Sequence, residues 1–170
     1  MLRFASLILV ILWLAAGCGS REPVLVAAHS CDELAGLVDQ DEELTIDRQD
    51  KFEGEGALYV KASEKRAVRL LELENPELED VLITCTAQAK CIGIWGRAYL
   101  ELFCSVPGEG DFTARDWDHA VHATQDWTPV RVEYRLEDGQ RPDRLRLSLV
   151  INSAGSVWLD DIRITATPLP

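Results

Sequence analysis

The sequence predicts an all-β fold in which two antiparallel sheets pack face to face, and three features of the chain predict it. Several runs alternate with period two: Ala98, Leu100, Leu102 and Cys104 oppose Tyr99, Glu101 and Phe103; Val130, Val132, Tyr134 and Leu136 oppose Arg131, Glu133 and Arg135; Leu145, Leu147 and Leu149 oppose Arg146 and Ser148. Successive strand residues point to opposite faces, so each run has one dry side and one wet side. Turn-forming stretches (ENPE, PGEG, EDGQRPD, NSAG) separate the runs. No long helical periodicity intervenes, and a parallel sheet would need crossover helices.

The first 17 residues read as an export signal, with one basic residue, Arg3, an apolar run from Leu7 to Ala16, and small residues before Cys18. The run is too short for a bilayer core, which takes about 20 apolar residues. Its charged start, apolar middle and small-residue end are those of a signal peptide. Ala15-Ala16-Gly17-Cys18 resembles the bacterial lipobox, with Ala15 where that pattern usually has Leu and with Leu14 one step earlier. The resemblance implies that Cys18 is lipidated and that acyl chains alone tether the protein to a membrane. Gly19 follows Cys18, so no neighbouring Asp signals inner-membrane retention. The expected location is therefore the bacterial cell envelope, at the outer membrane or the cell surface.

Residues 18–28 are expected to be a tether and residues 29–43 a short helical lead-in. Ser30 and Glu33 make the S-x-x-E pattern of a capping box, after which Leu34, Leu37 and Val38 share one face. From residue 44 to 170 the texture is that of strands. Ala57–Ala62 follows the turn glycines Gly54 and Gly56, and further strands are expected at Ala67–Leu73, Asp80–Ala87, Arg97–Cys104, Thr128–Leu136, Arg144–Ile151 and Ser156–Ile164.

Composition bounds the partners. With Lys+Arg 17 against Asp+Glu 29, the net charge is −12. Nucleic-acid affinity rests on cationic neutralisation of phosphates, so nucleic acid is not expected as a partner. Cysteine usage agrees with export: apart from Cys18, the chain has Cys31, Cys85, Cys91 and Cys104, an even set in a disulfide-permitting compartment. Four cysteines allow three pairings, and the sequence leaves the choice among them open. No CxxC pair occurs, so zinc is not expected at this set.

The segment DWTPVRVEYRLEDGQRPDRLRLSLVINSAGSVWLDDIRI, Asp126 to Ile164, resembles the closing half of the galactose-binding-like jelly rolls that include many carbohydrate-binding modules. It has a Trp entering a strand, a polar turn, alternating leucines, a Gly-containing turn, and an aromatic followed by an acid pair. EGEGALYVKA (Glu53–Ala62) is similar to their early strand, and WGRAYLELFC (Trp95–Cys104) to a middle one. What the resemblance implies is a single jelly-roll domain over residues 44–170. The implied function is a non-catalytic domain that binds carbohydrate at the envelope; the alternative is a protein-interaction or structural lipoprotein without a sugar ligand.

Asp160 and Asp161 raise the sharpest question, because an unpaired carboxylate inside a sandwich is costly. At least one must be exposed, paired with an arginine or bound to a cation. The resemblance implies a structural calcium held by an acid of this last strand together with an early acid, Asp47 or Glu53. Sugar-binding sites use aromatic rings flanked by polar groups. Trp117, set in TARDWDHAVHATQDW with Arg115, Asp116, Asp118 and His119, is the best candidate, with Tyr99, Glu101 and Phe103 on the adjacent sheet face. Trp95, in CIGIWG, is an apolar residue where a turn should be polar, which marks a contact surface. Trp127 is expected to pack in the core. His119 and His122 lack the HExxH spacing of a zinc hydrolase, and no G-x-S-x-G elbow occurs.

Overall fold

The apolar rows that alternate in sequence are dry in three dimensions. Ala98, Leu100, Leu102, Cys104, Val130, Val132, Leu136, Leu145, Leu147 and Leu149 are each at most 1% exposed. The computed structural model describes residues 21–170. The signal peptide expected over residues 1–17, and Cys18, lie outside the described residues. Nine strands follow in order among those described: β1 (Val24–His29), β2 (Leu44–Asp47), β3 (Ala57–Ala62), β4 (Arg66–Glu74), β5 (Val81–Val106), β6 (Gly110–Arg115), β7 (Val121–Leu136), β8 (Arg144–Ile151) and β9 (Gly155–Pro168).

All pairings are antiparallel, and they divide the hydrogen-bonded network into two leaves that share β5. The first half of β5, Val81–Ile92, lies between β9 and β7, and β9 in turn carries β3 and β1 on its far edge, with β2 beyond β3. The second half, Ala98–Val106, lies between β8 and β6, with β4 beyond β8. This is the two-sheet antiparallel sandwich that the alternation predicts. The registers also define its ends. Val81 faces Leu136 and Pro168 at one end, close to where Val24 pairs Ala166. Ile92 faces Ser156 at the other, where β5 bends.

The N-terminal expectations need two corrections. Part of the expected tether is β1, an edge strand on β9. The expected helix over residues 29–43 does not form; no helix occurs among the described residues. Its backbone groups find other partners. Cys31 adopts a left-handed φ of 59°, and its N–H donates to His29 Nδ1 at 3.0 Å. The amides of Val38 and Asp39 donate to the carbonyls of Leu70 and Arg69 on β4, each at 3.0 Å. The segment thus covers the outer edge of β4, which would otherwise offer unpaired groups to another chain. Leu37 still enters the core. The capping pattern is local and weak; the open sheet edge and the core decide.

The acid pair has a geometric explanation. Val157 and Leu159 face inward, and so do Ile162, Ile164 and Ala166, so the alternation skips a step between Leu159 and Ile162. In the same place Thr86 pairs Arg163 and Gln88 pairs Asp160, three residues of β9 against two of β5. This is a β-bulge, with Asp161 in the left-handed region at φ 48°, which Asp tolerates better than most residues. Asp160 is fully buried and caps three amides. Phe52 and Glu53 N–H donate to its Oδ2 at 3.0 and 3.1 Å, and Asp161 N–H donates to its Oδ1 at 2.8 Å. Asp161 turns outward and accepts from Arg163 Nε at 2.7 Å.

The expected disulfides are absent: Cys31, Cys85, Cys91 and Cys104 are all free and buried. Cys85 and Cys91 lie on the same strand, where six residues span roughly 20 Å, far beyond disulfide reach. Cys104 belongs to the other half of β5, opposite Phe112 and Leu145. Each thiol fills an inward position as a small apolar group. Burial pushes the Cys31 and Cys85 thiols up to about 12 and Cys104 up to about 11; for Cys31 the nearby Asp160 charge adds to it.

Three outcomes are expected. Asp160→Ala should lower stability by about 3 kcal/mol or more in urea titration, because three amide donors lose their acceptor. Asp161→Gly, which suits the same backbone angle, should change it by less than about 1 kcal/mol. Native protein should take up no iodoacetamide at Cys31, Cys85, Cys91 or Cys104 at neutral pH, as read by mass spectrometry, and all four should label once urea unfolds the chain.

Candidate functional site

The outward rows of the second leaf bring most of the sequence-selected residues together. Tyr99, Glu101 and Phe103 point outward from β5. Across β8 they face Val150, Ser148 and Arg146, and across β6 Glu101 faces Arg115. Beyond β8, β4 adds Ala67, Arg69 and Glu72 to the same face. The face mixes aromatic, polar and charged side chains, and its middle is covered: Tyr99, Ser148 and Val150 are only 5%, 6% and 4% exposed.

Trp117 closes one side of this face. Its ring is 45% exposed and lies against Tyr99, with centroids 4.5 Å apart and planes tilted by 54°. Such edge-tilted pairs are favourable and fix both rings. Below them Arg115 Nε donates to Glu101 Oε2 at 2.5 Å, and further along the Arg146 guanidinium sits 4.8 Å over the Phe103 ring. Burial and then the neighbouring Glu101 carboxylate push the Tyr99 phenol up, so it stays protonated.

The loop carrying Trp117 is tied down from both sides. Asp116 Oδ1 accepts the N–H groups of Asp118 and His119 at 3.0 and 3.2 Å, a side-chain-closed turn, and Asp116 Oδ2 meets His119 Nδ1 at 2.7 Å. Burial works to raise the Asp116 carboxyl, but the His119 ring and those two amides outweigh it and hold it below the usual range. Arg97 Nη1 donates to the Trp117 carbonyl. Arg97 was not among the sequence-selected residues; its place follows only from the meeting of β5 with the loop between β6 and β7. The stretch expected as one long loop is β6, a tight turn, and the start of β7.

Trp95 stands apart from this cluster, at the end of the sandwich. It is 94% exposed, on the bend where β5 passes from one leaf to the other. Side chains hold the bend: Gly93 N–H donates to Thr124 Oγ1 at 3.2 Å, Gly96 N–H to Ser153 Oγ at 3.1 Å, and Arg97 N–H to Asn152 Oδ1 at 2.5 Å. Beside the indole is a cavity of about 380 Å³ between Gly93, Ile94 and Trp95 on one wall and His122, Ala123 and Thr124 on the other.

The other two tryptophans among the described residues are Trp158 and Trp127. Trp158 is buried, packed on Tyr59 at 4.8 Å with its indole N–H donating to Asp47 Oδ2 at 2.9 Å. Trp127, expected in the core, is instead half-buried against Phe52, with ring centroids 5.9 Å apart. Of the four acids expected for calcium, Asp160, Asp161 and Glu53 are neighbours while Asp47 lies against Trp158. Asp160 is surrounded by amide donors. Asp47 accepts from Trp158 and from the N–H groups of Gln49 and Asp50, which hold its carboxyl below the usual range. Asp161 pairs with Arg163, and Glu53 is exposed. Among the described residues no group of three or more His, Cys, Asp or Glu is placed to hold a metal ion.

No protein-family model matches this sequence, and no curated protein matches it. Solved structures do resemble the fold. A CBM22-1 xylan-binding domain from Paenibacillus barcinonensis Xyn10C superposes with a TM-score of 0.65 at 14% identity, covering 87% of this chain and 97% of that one. A family 16 carbohydrate-binding module gives a TM-score of 0.58 at 13% identity, covering 77% and 91%. A cyclase from Fischerella sp. TAU gives 0.51 at 14% identity, covering 84% and 85%. The architecture is thus a β jelly roll of the kind found in carbohydrate-binding modules, and it also occurs in a protein named as an enzyme.

Proposed function

We propose that this protein is a non-catalytic carbohydrate-binding domain, exported and held at the cell envelope by lipid on Cys18. The observation that carries the binding reading is the half-exposed Trp117 ring, held on Tyr99 at 4.5 Å beside the Arg115–Glu101 pair. An indole offers the apolar face of a sugar ring a stacking partner, while a guanidinium and a carboxylate offer its hydroxyls donors and acceptors in fixed directions. The platform is stiff before any ligand arrives. Tyr99 supports the indole from behind, the Asp116 turn fixes the loop, and Arg97 holds its carbonyl, so little conformational freedom is lost on binding. The fold shared with two carbohydrate-binding modules supports the same reading.

The non-catalytic part rests on how the carboxylates are engaged. Glu101 is neutralised by Arg115 and Asp116 is tied to His119, arrangements that hold hydroxyls and a loop rather than deliver protons. Glycosidase chemistry takes two carboxyl groups facing each other across a sugar. The lipid anchor and envelope location rest on the N-terminal sequence alone.

Isothermal titration with a panel of soluble polysaccharides, xylan and mixed-linkage glucan included, tests the binding reading. Saturable binding is expected for at least one, weakened at least about tenfold by Trp117→Ala and unchanged by EDTA. Absence of binding across the panel, or full affinity in Trp117→Ala, would refute it. Metabolic labelling with an alkynyl fatty acid in a bacterial host tests the anchor: label and membrane fractionation are expected for the full chain and should both vanish in Cys18→Ser.

A further inference from the structure

The Trp95 end of the sandwich is outside the platform just described, yet it is built to receive something. A fully exposed indole leaves on the order of 200 Å² of mostly apolar surface in water. Trp95 is not there because its loop is loose, since the amides of Gly93, Gly96 and Arg97 in that bend are held by Thr124, Ser153 and Asn152. A rigid, wet aromatic beside a cavity of about 380 Å³ is the arrangement of a preorganised ligand subsite.

The scale of this surface selects the occupant. A stable protein interface takes about 800 Å² and some 20–30 residues from each partner. Beside Trp95 the cavity is lined by Gly93, Ile94, Gly96, His122, Ala123 and Thr124, and the next large exposed apolar side chain along the strand is Ile92, at 48%. That is too little for a protein and enough for one sugar ring. The cavity wall adds His122, whose Nδ1 is engaged by Gln125 Oε1 at 3.0 Å, so the other ring nitrogen is left for a hydroxyl.

Continuity with the Trp117 platform supplies the rest. Arg97 lies two residues beyond Trp95 and bonds the Trp117 carbonyl. From Trp117 the chain runs through the Asp116 turn directly into His122, Ala123 and Thr124, the far wall of the cavity. The Arg97 hydrogen bond and the short run from Trp117 to His122 thus link the two loops that carry the tryptophans. The chain entry at Val24 is at the opposite end of β5, about 12 strand residues or roughly 40 Å from the bend, so this surface faces away from the proposed anchor.

We propose that Trp95 and its cavity form an outlying subsite for the same polysaccharide chain that Trp117 holds. Trp95 stacks on a sugar unit further along the chain, and His122 meets one of that unit's hydroxyls. The inference rests on the carbohydrate reading above and adds that the ligand is a linear chain long enough to reach both rings. It makes Trp95 a residue that measures chain length, whereas Trp117 contributes at every length.

Titration calorimetry with xylo-oligosaccharides and cello-oligosaccharides, from disaccharide to hexasaccharide and longer, tests it. Wild-type affinity should rise with length. Trp95→Ala should lose about tenfold on the long oligosaccharides and less than about twofold on the short ones, with an unchanged melting temperature because the ring is not packed. Trp95→Phe should keep part of the gain, and Trp117→Ala should lose affinity at every length. Equal binding of long chains by wild type and Trp95→Ala, as a protein-contact role for this loop would give, overturns the inference and leaves the carbohydrate reading standing. So does an equal loss at all lengths. Failure of the wild type to bind any of these oligosaccharides overturns the inference, and absence of binding across the polysaccharide panel as well overturns the carbohydrate reading.

Discussion

A single strand has to serve two sheets here, and that requirement shapes the rest of the molecule. β5 gives its first half to the leaf with β9 and β7 and its second half to the leaf with β8 and β6. To change leaves it must turn, and the register with β7 slips repeatedly between Ala89 and Ala98. A strand that turns loses ladder partners, and each freed amide needs an acceptor. Those of Gly93, Gly96 and Arg97 find side-chain oxygens on neighbouring loops. The same break releases Trp95 from the inside-outside alternation, which is how an indole can be held in water on a rigid backbone. The corner of the fold and the most exposed aromatic are one feature.

Polar groups are distributed by the same logic of satisfying what the sheets leave over. Asp160 meets three amides at the β9 bulge, Asp39 meets Arg69 and its amide at the rim of β4, and Asp32 accepts the amides of Glu55 and Gly56 before β3. The many outward ion pairs, such as Arg141 with Glu79 or Arg135 with Glu137, add little individually because water screens them. The buried carboxylate differs in kind. Its neighbours are fixed donors that no solvent replaces, so it fastens the Phe52–Glu53 turn to the last strand.

The parts of this architecture visible in the sequence are those in which one face of a strand is dry. β8 and the second half of β5 alternate without interruption, and their outward residues Tyr99, Glu101 and Arg146 could be assigned to a face before any pairing was known. Glu101 and Arg115 were both selectable as site residues, but that they oppose each other depends on β6, hidden in what reads as a loop. Arg97 and Ser148 joined the face only through strand order, which alternation does not encode. β1 lies at an edge with Val24 and Leu25 half in water, so its pattern resembled a tether. The Ser30–Glu33 capping pattern was real chemistry overruled by a neighbouring sheet edge. An even cysteine count was mistaken for a pairing when all four thiols were core filler.

The placement of β1 has a mechanical consequence. Its first residue pairs near the end of β9, and the strand runs antiparallel to β9 through paired positions from Val24 to His29. A pull on the N-terminus, resisted at the far corner of the sandwich, is directed along the strand axis. Rungs of hydrogen bonds then bear the load side by side in shear instead of opening one after another like a zip. Such a geometry makes β1 resist a pull along its axis better than a pull across it.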